Sequence, residues 1–167
     1  ERVQFMHEQI KSDALVEEYI EGRELYVGVL GNERLSRLPV WEMEFGSLPD
    51  SLPAIATRKV KWDRAYQQKY GITTREAREL PPLLLARIDR MARRIYRALH
   101  LSGYARIDFR LRADGSLFVL EANPNPNLEQ AEDFAASAKA AGVGYGKLLD
   151  RIMRLGVAYR AEWRNYG

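Results

Sequence analysis

Apolar residues recur along this chain with two different periods, one typical of strands and one typical of helices. The segments Leu15–Ile20, Leu25–Leu30 and Arg34–Phe45 are rich in β-branched and apolar residues and predict three strands. Gly31-Asn32 predicts a tight turn between the second and third of these. Residues 46–75 predict a long irregular segment, a feature that is usually functional or disordered.

Helical spacing predicts an amphipathic helix over residues 1–11 and a long helix from Pro82 to His100. Two further helices are predicted, from Asn127 to about Ala141 and from Tyr145 to about Ala158. Together with the strands, they predict an α+β fold: an antiparallel sheet with flanking helices packed on one side. The expected core stripe of the long helix is Leu84, Ile88, Met91, Ile95 and Leu99.

The stretch YARIDFRLRADGSLFVLEANPNP predicts a β-hairpin with a two-residue turn at Asp114-Gly115. In that register Asp108 faces Glu121 and Arg106 faces Asn123, and all four side chains project from one face. The other face is expected to join the core through Ile107, Phe109, Leu111, Phe118, Leu120 and Ala122.

Two carboxylates directly opposite each other destabilise a sheet unless something neutralises them. Arg106 lies diagonal to Glu121 and could neutralise one of them, whereas a divalent cation would account for both carboxylates and for the amide of Asn123. Oxygen ligands without His or Cys indicate Mg²⁺ or Mn²⁺. The alternative is an ordinary charged surface face of an antiparallel sheet.

The composition predicts a soluble globular protein, with 46% apolar and 29% charged residues in a chain of 167. The chain has no cysteine and no long apolar run, which suits the cytoplasm and predicts no membrane association. A net charge of +3 suits a polyanionic ligand such as a nucleotide. A nucleic-acid-binding function is a weaker alternative, because no aromatic residues interleave with the arginines of the long helix. These are Arg87, Arg90, Arg94 and Arg97, and a solvated helix face explains them better.

The hairpin stretch resembles the metal-binding hairpin of ATP-grasp enzymes, especially the D-alanine–D-alanine ligase branch. LVEEYIEGREL is similar to the adenine-hinge strand of that family, and AGVGYGKLLDRIM is similar to its closing helix. The resemblance implies an ATP-dependent ligase that activates a carboxylate as an acylphosphate, which an amine or thiol then attacks. It implies ATP and two Mg²⁺ (or Mn²⁺) ions as cofactors, with small-molecule substrates.

By this resemblance, Glu17 contacts the adenine amino group, and the backbone of Glu18 and Ile20 reads the adenine edge. Glu24 binds the ribose hydroxyls, and the alternative is a solvated strand residue. Lys61 contacts phosphate, with Lys59 as a weaker candidate. Asp108, Glu121 and Asn123 hold the metal ions, and Arg106 stabilises the transferring phosphoryl group.

The sequence departs from the family pattern in two respects. Asn127 stands where D-alanine ligases have a glycine that helps to bind substrate, so the product is left open. The family's upstream glycine-rich lobe and N-terminal domain are not found in residues 1–167. We therefore expect the chain to be the C-terminal portion of an ATP-grasp domain and inactive in isolation. A non-catalytic nucleotide-binding or scaffolding module is the alternative, and a homo-oligomer is compatible with the sequence.

Overall fold

A five-stranded antiparallel sheet forms the centre of the computed structural model, which describes residues 1–49 and 51–160. Its strands are β1 (Arg23–Leu30), β2 (Ser36–Glu44), β3 (Thr73–Glu76), β4 (Tyr104–Leu111) and β5 (Leu117–Asn123). They lie in the order β3-β2-β1-β4-β5, and every neighbouring pair is antiparallel. The predicted α+β class is confirmed.

The helices flank this sheet. They are α1 (Arg2–Phe5), continued by a π-helical turn (Met6–Ile10), then α2 (Arg58–Trp62), α3 (Arg64–Tyr70), α4 (Pro82–Ala98), α5 (Asp133–Ala140) and α6 (Tyr145–Val157). Within the described ranges, none of them has the length and apolar character needed to cross a bilayer.

The helices cover both faces of the sheet, not one face as predicted. On one face, Val27 and Ile107 pack against Ile88 of α4. On the other face, the cluster around Leu30 includes Phe134 of α5, and it extends to Leu148 of α6. Both faces of the central strands are therefore apolar at these positions, as expected for strands buried on two sides.

Segment 15–20 forms no strand, contrary to the prediction. Leu15 and Val16 are 85% and 74% exposed, and no strand of the described sheet pairs with them. A segment rich in β-branched and apolar residues becomes a strand only where a neighbouring strand can form hydrogen bonds with its backbone.

The connections also differ from the predictions. Because Leu30 faces Ser36, residues 31–35 form a longer loop rather than a tight turn at Gly31-Asn32. Residues 46–75 are not wholly irregular, since they contain α2, α3 and the start of β3. The side chains of Thr57 and Asp63 accept hydrogen bonds from Val60 N and Tyr66 N, which caps these two short helices.

The core stripe of α4 is shifted from the predicted one. Ile88 is fully buried, but the other buried side chains are Ala92 and Tyr96, and Leu99 is 55% exposed. The four arginines of the opposite side are exposed, as expected for a solvated face. The predicted N-terminal helix forms, but it buries none of its residues.

Candidate active site

The hairpin of β4 and β5 has the predicted register in the half that lies away from the connecting loop. Asp108 faces Glu121, and Arg106 faces Asn123. Asp108 is buried, at 4% exposure, whereas Glu121 is exposed. The four side chains therefore share the face that the sequence predicted, with one carboxylate deep in the protein and the other at its surface.

This register arises by a different route from the predicted two-residue turn. Arg112 N donates to Ser116 O at 2.9 Å, so the loop has three residues, Ala113 to Gly115, and the last has φ of 82°. The ladder then shifts between Asp108 and Phe109. Leu120 is the extra residue of this bulge, and it restores the pairing that the longer loop would have moved by one position.

The bulge also changes which β5 side chains enter the core. Leu117 is buried in the cluster under α4, and Ala122 packs against it. Leu120 is 46% exposed and Phe118 is half-buried, with the Arg112 guanidinium 4.7 Å above its ring. The predicted core positions Phe118 and Leu120 are therefore wrong, because they precede the point where the bulge restores the register.

Arg106 and Asp108 form a bidentate ion pair on β4. Arg106 Nε and Nη2 donate to the two oxygens of Asp108, both at 2.7 Å. The guanidinium also lies 4.4 Å from the ring centre of Tyr26, the residue that faces Asp108 on β1. These contacts fix Arg106 in place, since planar fork geometry and stacking on an aromatic face both restrict it.

The charges of this pair are set by burial and by each other. Burial raises the pKa of Asp108 to about 6, Arg106 opposes that shift, Glu121 adds to it and Lys61 opposes it. Burial alone would lower the pKa of Arg106, but the hydrogen-bonded Asp108 carboxylate holds it above its ordinary value. Both groups are therefore charged at neutral pH.

Glu24 belongs to a second buried polar group on the same face of the sheet. Its Oε1 accepts a hydrogen bond from Tyr26 Oη at 2.7 Å, and Arg110 Nη2 lies 2.9 Å from its Oε2. Burial and the Glu24 charge raise the pKa of Tyr26, which keeps its hydroxyl a donor. Glu24 is 4% exposed, so the alternative of a solvated strand residue is wrong.

A cavity of about 540 Å³ opens beside Tyr26 and Arg106, whereas Glu24, Asp108 and Glu121 are not among its lining residues. Lys61 and Arg106 place positive charge on its wall, and Glu132 and Asp133 place negative charge there. Its remaining lining residues are Tyr26, Met43, Trp62, Gln67, Ile72, Thr73, Thr74, Asn123, Asn125, Asn127 and Ala131. The site therefore combines cationic, acidic and neutral polar groups in one pocket.

Lys61 reaches this cavity from the short helix α2. Gln67 of α3 donates from its Nε2 to Val60 O at 2.8 Å and to Lys61 O at 3.2 Å, which ties the two helices together. Lys61 is exposed and lines the cavity, whereas Lys59 is exposed and does not line it. The geometry therefore favours Lys61 of the two lysines.

The proposed adenine-binding segment lies elsewhere. Glu17 and Glu18 are exposed, and Ile20 is half-buried. Glu18 forms an ion pair with Arg112 at 3.0 Å. None of the three lines the cavity among the residues described, and their assignment to adenine stays a prediction.

The loop after β5 is shaped by its asparagines. Asn123 Oδ1 accepts from Asn125 N at 2.9 Å, and Asn127 Oδ1 accepts from Glu129 N at 3.0 Å. Asn127 therefore stabilises a turn and does not cap α5, which begins later, at Asp133. This places Glu132 and Asp133 at the cavity, where burial and then Asp133 raise the pKa of Glu132.

Sequence reasoning missed Tyr26, Arg110, Glu132 and Asp133. Strand alternation is the signal that could have found the first two, because Tyr26 follows Glu24 by two residues and Arg110 follows Asp108 by two. No comparable signal exists for the acidic pair, since its position depends on the path of the loop from Asn123.

The metal assignment agrees with the type of donor present. Asp108 and Glu121 offer hard carboxylate oxygens from facing positions, and Asn123 offers an amide oxygen two residues further along β5. The described residues contain no group of three or more His, Cys, Asp or Glu side chains that could hold an ion. A cation held there would share the Asp108 carboxylate with Arg106.

Comparison with known proteins identifies the family. The family model described as D-ala D-ala ligase C-terminus matches residues 4–154. The chain belongs to this family. Within the ligase family, the chain is 36% identical over 152 residues to a D-alanine–D-alanine ligase A of Mesorhizobium japonicum, covering 88% of this chain and 40% of that protein. It is 34% identical over 148 residues to a D-alanine–D-alanine ligase of Desulfotalea psychrophila, covering 86% and 42%.

A solved structure shows the same architecture. A D-alanine–D-alanine ligase from Bacillus anthracis, crystallised in complex with ATP, superposes with a TM-score of 0.70 at 26% identity. The match covers 93% of this chain and 46% of that one. The fold is therefore that of the C-terminal part of an ATP-grasp ligase, and the chain spans less than half the length of these relatives.

Proposed function

We propose that this chain forms the catalytic C-terminal portion of an ATP- and Mg²⁺-dependent carboxylate–amine ligase. The observation that carries the proposal is the facing pair Asp108 and Glu121, which shares a face of the hairpin with Arg106. Arg106 in turn lines the cavity together with Lys61. Phosphoryl transfer requires positioning and neutralisation of charge more than a protein nucleophile. This grouping supplies both.

In the proposed reaction, a substrate carboxylate oxygen attacks the γ-phosphorus of ATP, and the bond to the β-phosphate oxygen breaks to release ADP. An amine then attacks the acyl carbon, phosphate leaves, and the amine loses a proton as the amide forms. Divalent cations bound at Asp108, Glu121 and Asn123 would neutralise the phosphate oxygens. Arg106 and Lys61 would stabilise charge on the transferring group.

We assign Glu24 to the ribose in this proposal. Its Oε2 has no hydrogen-bond donor within the described part of the chain, although Arg110 contacts it as an ion pair. A carboxylate oxygen without a donor suits a hydroxyl group. Because Glu24 is buried, a bound nucleotide has to displace part of the surrounding chain before its ribose can reach the carboxylate.

We assign no specific amine or carboxylate substrate, because Asn127 stands where D-alanine ligases have a substrate-binding glycine. D-Alanine is one candidate among amino acids. The test uses the protein in its full natural length, with ATP, Mg²⁺ and a panel of D- and L-amino acids. We expect ADP release only when Mg²⁺ (or Mn²⁺) and an accepted carboxylate are both present. A carboxylate labelled with ¹⁸O should pass one labelled oxygen to phosphate. ADP release that does not depend on the carboxylate would contradict the acylphosphate route. Release of phosphate without the ¹⁸O label would contradict it as well.

A further inference from the structure

Arg110 is a buried arginine for which the proposed reaction has no use. It is 2% exposed and lies on β4, two residues after Asp108 and on the same face of the sheet. A buried guanidinium costs free energy unless its donors are satisfied, so its contacts indicate what it does.

Those contacts join three parts of the chain. Arg110 Nη1 donates to Gly22 O at 2.8 Å, on the segment that leads into β1. Its Nη2 donates to Ala54 O, in the loop before α2, and lies 2.9 Å from Glu24 Oε2. The rings of Tyr19 and Phe45 lie 5.9 and 5.8 Å from the guanidinium carbon and line its surroundings.

We propose that Arg110 is the positioning residue of the nucleotide site, holding the Glu24 carboxylate in the orientation that the ribose hydroxyls require. This inference rests on the proposed function and on the ribose assignment of Glu24. Tyr26 holds the other oxygen of the same carboxylate, so the two contacts together determine its plane. The contact with Ala54 also holds the loop before α2 against Glu24, and nucleotide entry opens that contact.

The physical consequence is specific to the ribose. Without Arg110, the Glu24 carboxylate would lie buried beside no cation, and it would lose both its orientation and its strength as an acceptor. Charged hydrogen bonds to hydroxyls change affinity by roughly ten- to a hundredfold. Removing Arg110 should therefore weaken binding of ATP much more than binding of an analogue that lacks the ribose hydroxyls.

The experiment measures dissociation constants of Mg-ATP and Mg-2′,3′-dideoxy-ATP by calorimetry, with the protein in its full natural length. We expect the unmodified protein to prefer ATP by roughly ten- to a hundredfold. Glu24→Gln and Arg110→Met should each reduce this preference to near unity. The double variant should show no further loss, because both changes remove the same interaction.

Arg93→Met is the matched control. Arg93 also bonds to a carboxylate, Asp89, and to a backbone carbonyl, that of Leu35, but it lies on α4. The Arg93→Met variant should prefer ATP over the dideoxy analogue as strongly as the unmodified protein does. If Arg110→Met fails to fold, Arg110→Lys takes its place. Lysine keeps the charge but not the planar guanidinium, so this variant should prefer ATP over the dideoxy analogue less strongly than the unmodified protein does.

The outcomes separate the two proposals. A full preference for ATP in Arg110→Met or Arg110→Lys, with the preference lost in Glu24→Gln, overturns the role of Arg110 and leaves the ligase proposal standing. An unmodified protein that binds neither nucleotide overturns the ligase proposal itself, and the inference with it. Loss of preference in the Arg110 and Glu24 variants, with none in Arg93→Met, supports the inference.

Discussion

Asp108 and Glu121 face each other across β4 and β5 although the loop between the strands has one residue more than the predicted turn. The bulge at Leu120 accounts for this. Without it, Glu121 would face Ile107 and point into the core under α4, because each one-residue shift of a strand moves its side chains to the other face. Loop and bulge together place the second carboxylate on the cavity side.

Removing Arg106 should destabilise the protein. Arg106→Met leaves the buried Asp108 carboxylate opposite Glu121 without its bidentate partner. Loss of one member of a buried ion pair typically costs about 3–5 kcal/mol. Urea unfolding should show this loss, and the double variant Arg106→Met, Asp108→Asn should recover most of it. Equal stability of Arg106→Met and the unmodified protein would show that the pair is not needed to balance the buried charge.

Removing the Glu24 carboxylate should also destabilise the fold, in addition to any effect on ATP. Glu24→Ala leaves Arg110 buried without a counter-charge and Tyr26 Oη without its acceptor. We expect a loss of about 3–5 kcal/mol in urea unfolding, and a smaller one for Glu24→Gln, which keeps an oxygen acceptor. Indistinguishable unfolding curves for Glu24→Ala and the unmodified protein would argue against this ion pair.

Alkaline pH should reveal the buried hydroxyl of Tyr96. It donates to Gly31 O at 2.8 Å, and burial raises its pKa to about 12. The unfolded chain ionises near its ordinary value of about 10, so this group's contribution to stability is complete below pH 10 and lost as pH rises to 12. Tyr96→Phe removes that dependence. The difference in unfolding free energy between the two proteins should therefore be smaller at pH 11 than at pH 8. An equal difference at both pH values would contradict the prediction.

The sequence predicts the elements that have strong periodicity. The helix Pro82–Ala98, the helix Tyr145–Val157 and the strand Arg23–Leu30 lie within two residues of their predicted ends. Segment 15–20 has equally good strand composition and forms none. Strand formation depends on a partner that local sequence does not reveal.

The candidate site was predictable to the extent that it depends on one hairpin. Asp108 and Glu121 are close in sequence, and strand alternation places both on one face. The role of Arg110 depends on contacts with Gly22 and Ala54, each more than 50 residues away. The position of Glu132 depends on the turns that Asn123 and Asn127 form. Long-range contacts of this kind do not follow from local patterns.

The exposed carboxylate of Glu121 provides the most direct test of the ligase proposal. Glu121→Gln keeps the size and polarity of the side chain but removes the charge that a divalent cation would need. Glu33→Gln is the matched control, since Glu33 is also exposed but lies in the loop between β1 and β2, outside the β4–β5 hairpin. The measurement is carboxylate-dependent ADP release by the protein in its full natural length, at saturating Mg-ATP. We predict that Glu121→Gln abolishes it while Glu33→Gln leaves it unchanged, and full activity of Glu121→Gln would contradict the metal site.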